Sequence, residues 1–149
     1  MQTPPKSDTI SDTIVAYITL LHPNAKVPLQ ATQLSTGYDV YSPDEHILHA
    51  QSIAKIPLGF PIKPPNLHYT QLQSRSGLAL KVIIEYGGVI DPDYRGEMCT
   101  ILHNTSTHTH IISPGDRIVQ LIFLTYTYAN NLITPHEPTK VLVVLGTSP

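Results

Sequence analysis

Gly87-Gly88-Val89-Ile90-Asp91-Pro92-Asp93-Tyr94-Arg95-Gly96-Glu97 is the stretch that the rest of this 149-residue chain is read around. An apolar run ends just before it at Tyr86, two glycines supply bare backbone, and Asp91-Pro92-Asp93 has the composition of a tight turn. The segment therefore predicts a short hairpin between two strands. Glycines lack the Cβ that would hold a planar ligand away, so the mouth of such a hairpin leaves backbone N–H and C=O groups open to one. Beside it, Asp91 could polarise a water and the Tyr94 ring could cover one face of a sugar or base. Carboxylate, ring and bare backbone point to a nucleotide site; the alternative is an ordinary surface hairpin with acidic turn residues.

On either side of that segment the chain reads as strands. Val82 to Tyr86 leads in, and Met98 to Leu102 leads out as a strand of buried character. Upstream, Tyr69 to Gln73 is a strand that ends at Ser74-Arg75-Ser76-Gly77-Leu78-Ala79-Leu80-Lys81, where one or two helical turns begin. A guanidinium, hydroxyls and backbone N–H groups at such a start have the chemistry of a phosphate site, against the plainer reading of an N-cap with a surface arginine. Downstream, Ile118 to Leu124 is an apolar run broken only by Gln120, which suits a strand buried on both faces. The lone amide then needs a partner, either scaffold or ligand.

The remaining segments supply scaffold. Ile14 to Leu21 alternates as a first strand, and Lys26 to Ser35 is irregular. Gly37 to Ser42 is a glycine entering a short strand with Asp39 between two tyrosines. His46 to Lys63 alternates in two proline-interrupted runs typical of edge strands and corners. His108 and His110 would share one face of a strand, but no third metal ligand accompanies them. Residues 1–12 form a loose lead-in, 13–129 the β domain, and 130–149 an atypical C-terminal segment.

Fourteen prolines, many Thr, Val, Ile and Tyr, and no long helical periodicity make this an all-β domain with one core. A formal charge of −2 gives no basic face for a long nucleic acid, though a single nucleotide remains compatible. No run is long enough to span a bilayer, and the N-terminus lacks a secretory pattern. The single Cys99 excludes an internal disulfide. The expectation is an intracellular, cytoplasmic or nuclear protein that is not secreted, in which the Asn104-Thr105-Ser106 sequon carries no glycan.

Taken in order, these stretches resemble the trimeric dUTP pyrophosphatase (dUTPase) family. Ser35-Thr36-Gly37-Tyr38-Asp39-Val40-Tyr41-Ser42 is similar to its first motif, and Ser74 to Lys81 to its second. Gly88 to Glu97 matches the third, and Pro114-Gly115-Asp116-Arg117-Ile118-Val119-Gln120-Leu121-Ile122-Phe123 the fourth. The resemblance implies a distorted jelly-roll or β-barrel of short strands, assembled as a homotrimer with shared active sites. It also implies hydrolysis of dUTP to dUMP and pyrophosphate with Mg²⁺. In that carry-over Asp91 activates the water, and the backbone of Gly88, Val89 and Ile90 pairs with the uracil edge. Tyr94 lies under the deoxyribose, Arg75, Ser76, Gly77 and Gln120 hold phosphates, and Asp39 positions Mg²⁺ through water. Asp116 and Arg117 read as a structural pair outside the chemistry.

The resemblance departs at two places. The family's fifth motif, a C-terminal arm with an arginine, glycines and a phenylalanine, is degenerate or missing: Leu145-Gly146-Thr147-Ser148-Pro149 keeps only a shadow of its end, no arginine follows Arg117 and no phenylalanine follows Phe123. Lys140 is the candidate to replace part of that charge. The connection from Lys81 to Gly88 is also short, placing Tyr86 where a polar base-contacting residue is expected. Two other functions are therefore carried alongside hydrolysis: a dUTPase-derived nucleotide-binding or protein-interaction module with little catalysis, and a dCTP deaminase of the same fold.

Overall fold

The structure, a computed structural model, describes residues 14–133 and 141–145, with side chains as far as Ala129. The lead-in, Lys140 and most of the C-terminal segment singled out above lie outside the described residues. In chain order the elements are β1 (Tyr17–Ile18), β2 (Leu29–Gln30), β3 (Tyr38–Tyr41), β4 (His46–Leu48), β5 (Ser52–Pro57), β6 (Ile62–Lys63) and β7 (His68–Ser74). There follow α1 (Ser76–Ala79), β8 (Ile83–Tyr86), β9 (Val89–Ile90), β10 (Cys99–Asn104), β11 (His110–Ile112), β12 (Arg117–Thr125), β13 (Ala129–Ile133) and β14 (Val141–Leu145). The all-β expectation holds, with α1 as the one short helical turn predicted after Ser74. Among the described residues no helix is long and apolar enough to cross a membrane.

Two antiparallel sheets carry most of the domain. One has the order β2-β3-β12-β7-β9 and the other β5-β10-β8, while β1–β6, β4–β11 and β13–β14 form small pairs. They close on one core. Val40, Leu72 and Leu121 come from the five-stranded sheet, Ile56, Ile83 and Leu102 from the three-stranded one, and Leu48, Phe60 and Ile112 fill the ends. Removing any of these large side chains would cost about 2–5 kcal/mol through lost burial and the cavity left behind.

β12 is the strand that organises the larger sheet, because it is hydrogen-bonded on both sides. It pairs with β3 from Arg117 to Leu121 and with β7 from Val119 to Thr125. Ile118, Val119 and Leu121 are buried on opposite faces, as expected for a continuous apolar run, whereas Leu124 at its far end is exposed. A register shift between Arg117 and Val119 marks a bulge, a device that re-aims a side chain out of the regular ladder.

The expected hairpin at Gly87–Glu97 is built differently. Its outer arms do pair, β8 with β10, and the Tyr94 N–H donates to the Asp91 carbonyl at 3.1 Å, closing the predicted turn. Between them, however, the chain leaves its sheet: β9 pairs with β7 of the other sheet, and the Leu72 N–H donates to the Gly88 carbonyl at 2.7 Å. Gly87 turns the chain with a φ of +73°, and a Cβ on Gly88 would overlap the Leu72 carbonyl. Gly88 is thus required by the approach of two backbones within the fold.

Other expectations are trimmed. Only Tyr17–Ile18 of the first predicted strand forms a ladder. His108 lies in a loop ahead of His110, so the two do not share a strand. Asn104 of the sequon is fully buried, its amide nitrogen donating to the carbonyls of Leu48 and His108 at 2.9 and 2.8 Å. That amide is a structural tie.

Glu85 on β8 is half-buried, its own N–H donating to the Ser74 hydroxyl at 2.8 Å. Burial pushes its carboxyl from an ordinary 4.5 up to about 7. Between those values the folded protein keeps a proton that the unfolded chain has lost, so stability falls as pH rises through this window and levels off above it. Glu85→Gln removes the penalty. The variant should melt as the parent does near pH 4 and be more stable at pH 8 by about 1 kcal/mol, after discounting for its partial exposure, as read by thermal unfolding at the two pH values.

Candidate active site

Asp39 sits on β3 directly opposite Gln120 of β12, so the ladder itself places the acid beside the amide. The carboxylate is largely shielded and accepts from two guanidiniums: Arg75 Nε at 3.0 Å on one oxygen and an Arg117 terminal nitrogen at 3.3 Å on the other. A second Arg75 nitrogen donates to the Arg117 carbonyl at 3.1 Å. Arg75 occupies the N-cap position of α1 and makes no capping bond there, since a guanidinium has no acceptor to offer the helix N–H groups; its donors go to Asp39 instead. The expected Asp116–Arg117 pair is therefore corrected. Asp116 accepts from the Ser113 N–H at 2.9 Å within its own turn, while the bulge sends Arg117 to Asp39.

Asp39, Arg75, Ser76 and Gln120 line one cleft of about 400 Å³, together with Gly37 and Arg117. The Gln120 amide nitrogen donates to the Ser74 carbonyl at 3.3 Å, and a Cβ on Gly37 would fall 2.5 Å from its Oε1. The amide thus has a scaffold partner and still faces the cleft. With two guanidiniums against one carboxylate, a serine hydroxyl and the open start of α1, the cleft suits an oxyanion of the phosphate kind. Gly77 lies one residue on, in the adjoining cleft of about 420 Å³ that also contains Lys81 and His110.

Asp91 is elsewhere. It is exposed on its turn and lines a separate cleft of about 620 Å³ with Val89, Asp93 and three tyrosines, Tyr69, Tyr126 and Tyr128. That cleft and the Asp39 cleft have no lining residue in common. Tyr94 lines neither; its hydroxyl donates to the Glu97 carbonyl at 3.1 Å and its ring lies over Gly96. The Ile90 side chain packs against the core, and its backbone is paired with Thr70 of β7. Arg117 and the three tyrosines line these clefts without having been singled out as site residues in the sequence. For Arg117 no local signal exists, since only the bulge re-aims it. For Tyr126 and Tyr128 the signal was two rings at alternate positions just past an apolar strand.

Fold and clefts together define an all-β domain with an arginine-lined cleft and, apart from it, an acidic turn beside an aromatic cleft. The chain belongs to the dUTPase family, whose sequence profile matches residues 23–143. It is 41% identical over 100 residues to the deoxyuridine 5'-triphosphate nucleotidohydrolase of Paramecium bursaria Chlorella virus 1, covering 66% of this chain and 71% of that one. It is 43% identical over 103 residues to the protein of the same name from Oryza sativa, covering 68% of this chain and 60% of that one. Among solved structures, the dUTPase of Staphylococcus bacteriophage 80alpha with dUPNHPP superposes with a TM-score of 0.78 at 21% identity, over 85% of this chain and 91% of that one. This last likeness is one of fold.

The two glycines of the carried-over site separate by substitution. Nothing lies within 4 Å of a Cβ built on Gly77, whereas one on Gly88 meets the β7 backbone. Gly77→Ala should leave the melting temperature unchanged or slightly higher while weakening tripolyphosphate binding. Gly88→Ala should destabilise the fold by about 2–3 kcal/mol. Thermal unfolding and calorimetric titration distinguish the two effects.

Proposed function

We propose that the chain is a dUTP nucleotidohydrolase that converts dUTP and water to dUMP and pyrophosphate. The observation that carries this reading is the convergence of Asp39, Arg75, Ser76 and Gln120, from three distant motifs, on one cleft, in a chain of the dUTPase family. Arg75, Ser76 and Gln120 bind the phosphate oxygens, and Gly77 lets the chain approach closely. Asp39 holds both guanidiniums in place before substrate arrives, so no reorganisation is needed on binding. Asp91 accepts a proton from a water aligned on the α-phosphorus; as that O–P bond forms, the bridging O–P bond breaks and pyrophosphate leaves.

The base is read on β9. It is the edge strand of its sheet, so its outward backbone groups have no neighbouring strand among the described residues and are available to a uracil edge. Val89 contributes that backbone, held between Gly88 and Ile90, whose own groups face β7 in the alternating ladder, and Tyr94 stands at the end of the same turn, on the sugar side.

Mg²⁺ fits this site in one form only. Both Asp39 oxygens already accept from arginines, and the described residues contain no group of three acidic, His or Cys side chains that could cage a cation. Such a donor set suits a hydrated ion carried by the triphosphate and reached by Asp39 through water. Bound in this way, the ion supplies neutralisation of charge on the leaving pyrophosphate. One surplus guanidinium cannot offset a triphosphate alone.

Because the Asp91 cleft and the Asp39 cleft are separate within one chain, the reaction requires residues from two copies, in a homotrimer whose sites are shared. Purified protein with Mg²⁺ should release pyrophosphate from dUTP and not from dTTP, dCTP or UTP, and no ammonia from dCTP. Asp91→Asn should lower turnover at least about 10²-fold with the melting temperature and assembly mass retained. Asp91→Asn and Arg75→Ala chains, each inactive, should together regain about a quarter of the parent activity after mixing and reassembly, since random assortment unites both intact residues in that share of sites. Full activity of Asp91→Asn would remove the catalytic assignment, and no recovery on mixing would remove the shared site. Nucleotide binding without turnover by the parent chain would favour a binding module instead.

A further inference from the structure

Apart from Asp91, the cleft that contains it has a lining that the phosphate chemistry does not use. Tyr69, Tyr126 and Tyr128 share its lining with Val89, Asp91 and Asp93, and among the described residues no basic side chain lines it. Tyr128 is 71% exposed, Tyr126 42% and Val89 61%, so a large aromatic and aliphatic surface stands open in a concave place. Its geometry is fixed from below: Tyr69 on β7 is paired with Leu124 of β12, and the Tyr69 and Tyr126 rings meet edge to face at 6.4 Å and 73°. Tyr94, by contrast, is held over Gly96 by its bond to Glu97.

We infer that Tyr69, Tyr126 and Tyr128 form a stacking wall for the nucleobase, with Tyr128 as the ring that covers it. Charge decides the occupant. Two carboxylates, with no cation lining the cleft among the described residues, disfavour the phosphate chain, and the arginines that attract it are in the other cleft, so the part of a nucleotide that enters here is its neutral, flat end, with the α-phosphate at the margin where Asp91 stands. Val89 belongs to both this cleft and the edge strand β9, so a ring stacked on the wall lies beside the free backbone edge that would read it. Tyr128 and Tyr126 are therefore positioning residues for the base, supplied from beyond the end of β12 and outside the four motifs. This inference rests on the reading of the chain as a dUTP-binding protein.

The test separates base from phosphate. Tyr128→Ala should raise the KM and Kd for dUTP about tenfold, the usual worth of one base-on-aromatic contact, and leave inhibition by inorganic tripolyphosphate unchanged. Tyr128→Phe should restore the parent values, and neither variant should lose thermal stability, because the ring is exposed. The chain has no tryptophan, so quenching of tyrosine emission by dUTP, reduced in Tyr128→Ala and absent with tripolyphosphate, gives a second readout. Unchanged dUTP affinity in Tyr128→Ala, or equal weakening of dUTP and tripolyphosphate, overturns the stacking wall. If the parent hydrolyses dUTP in that same experiment, the proposed function stands while the wall falls. A parent chain that neither binds nor hydrolyses dUTP overturns both.

Discussion

The antiparallel ladder along β12 is the constraint from which the rest follows. Gln120 faces Asp39 on one side and Gln73 on the other, one residue before Ser74 and two before Arg75. A single strand paired on both edges thereby aligns three motifs that are far apart in the chain. Slipping either neighbour by one residue would exchange buried and exposed side chains along the whole strand, so the hydrophobic pattern that buries Val119 and Leu121 also fixes the position of the amide between them. Core packing and site geometry are here one condition.

Asp39 then converts alignment into electrostatics. A carboxylate between two guanidiniums stabilises the fold only modestly, because Arg117 is half-exposed and its bond long. The larger consequence is orientation. Long arginine side chains lose conformational freedom when held, and here that loss is met on folding, before any ligand is bound. The bulge at Arg117 is a cost accepted in the ladder for the same end. It gives up regular pairing at the strand's first residue and delivers the second cation to the cleft.

Much of this was legible in the sequence. Short proline-bounded strands gave the all-β class, the Ser74–Lys81 segment gave the strand-to-helix turn, and the fourth motif gave a buried strand with one amide. What could not be read were features that depend on register between distant strands. The crossing of β9 from one sheet to the other is set by the Leu72–Gly88 contact, and no local pattern around Gly88 reveals which strand it approaches. The pairing of Arg117 with Asp39 instead of the adjacent Asp116 depends likewise on a bulge. Motif order in the chain also carried no information about cleft membership, and the structure divides the carried-over residues between separate clefts.

The glycines show most clearly how one residue type hides two physical reasons. Gly87 and Gly88 were read as bare backbone for a ligand, yet Gly87 is needed for its positive φ and Gly88 for contact with β7. Gly77 meets no such demand, since an added Cβ there touches nothing and alanine is the better residue in a helical turn. A glycine that the fold does not require, next to Arg75 and Ser76, is the one whose presence calls for a ligand as its explanation. The crossing that consumes Gly88's freedom has its own consequence, because it leaves β9 as the last strand of its sheet. The groups that Gly88 itself does not expose are thus replaced by the open edge at Val89, a surface that exists only because two backbones were allowed to touch behind it.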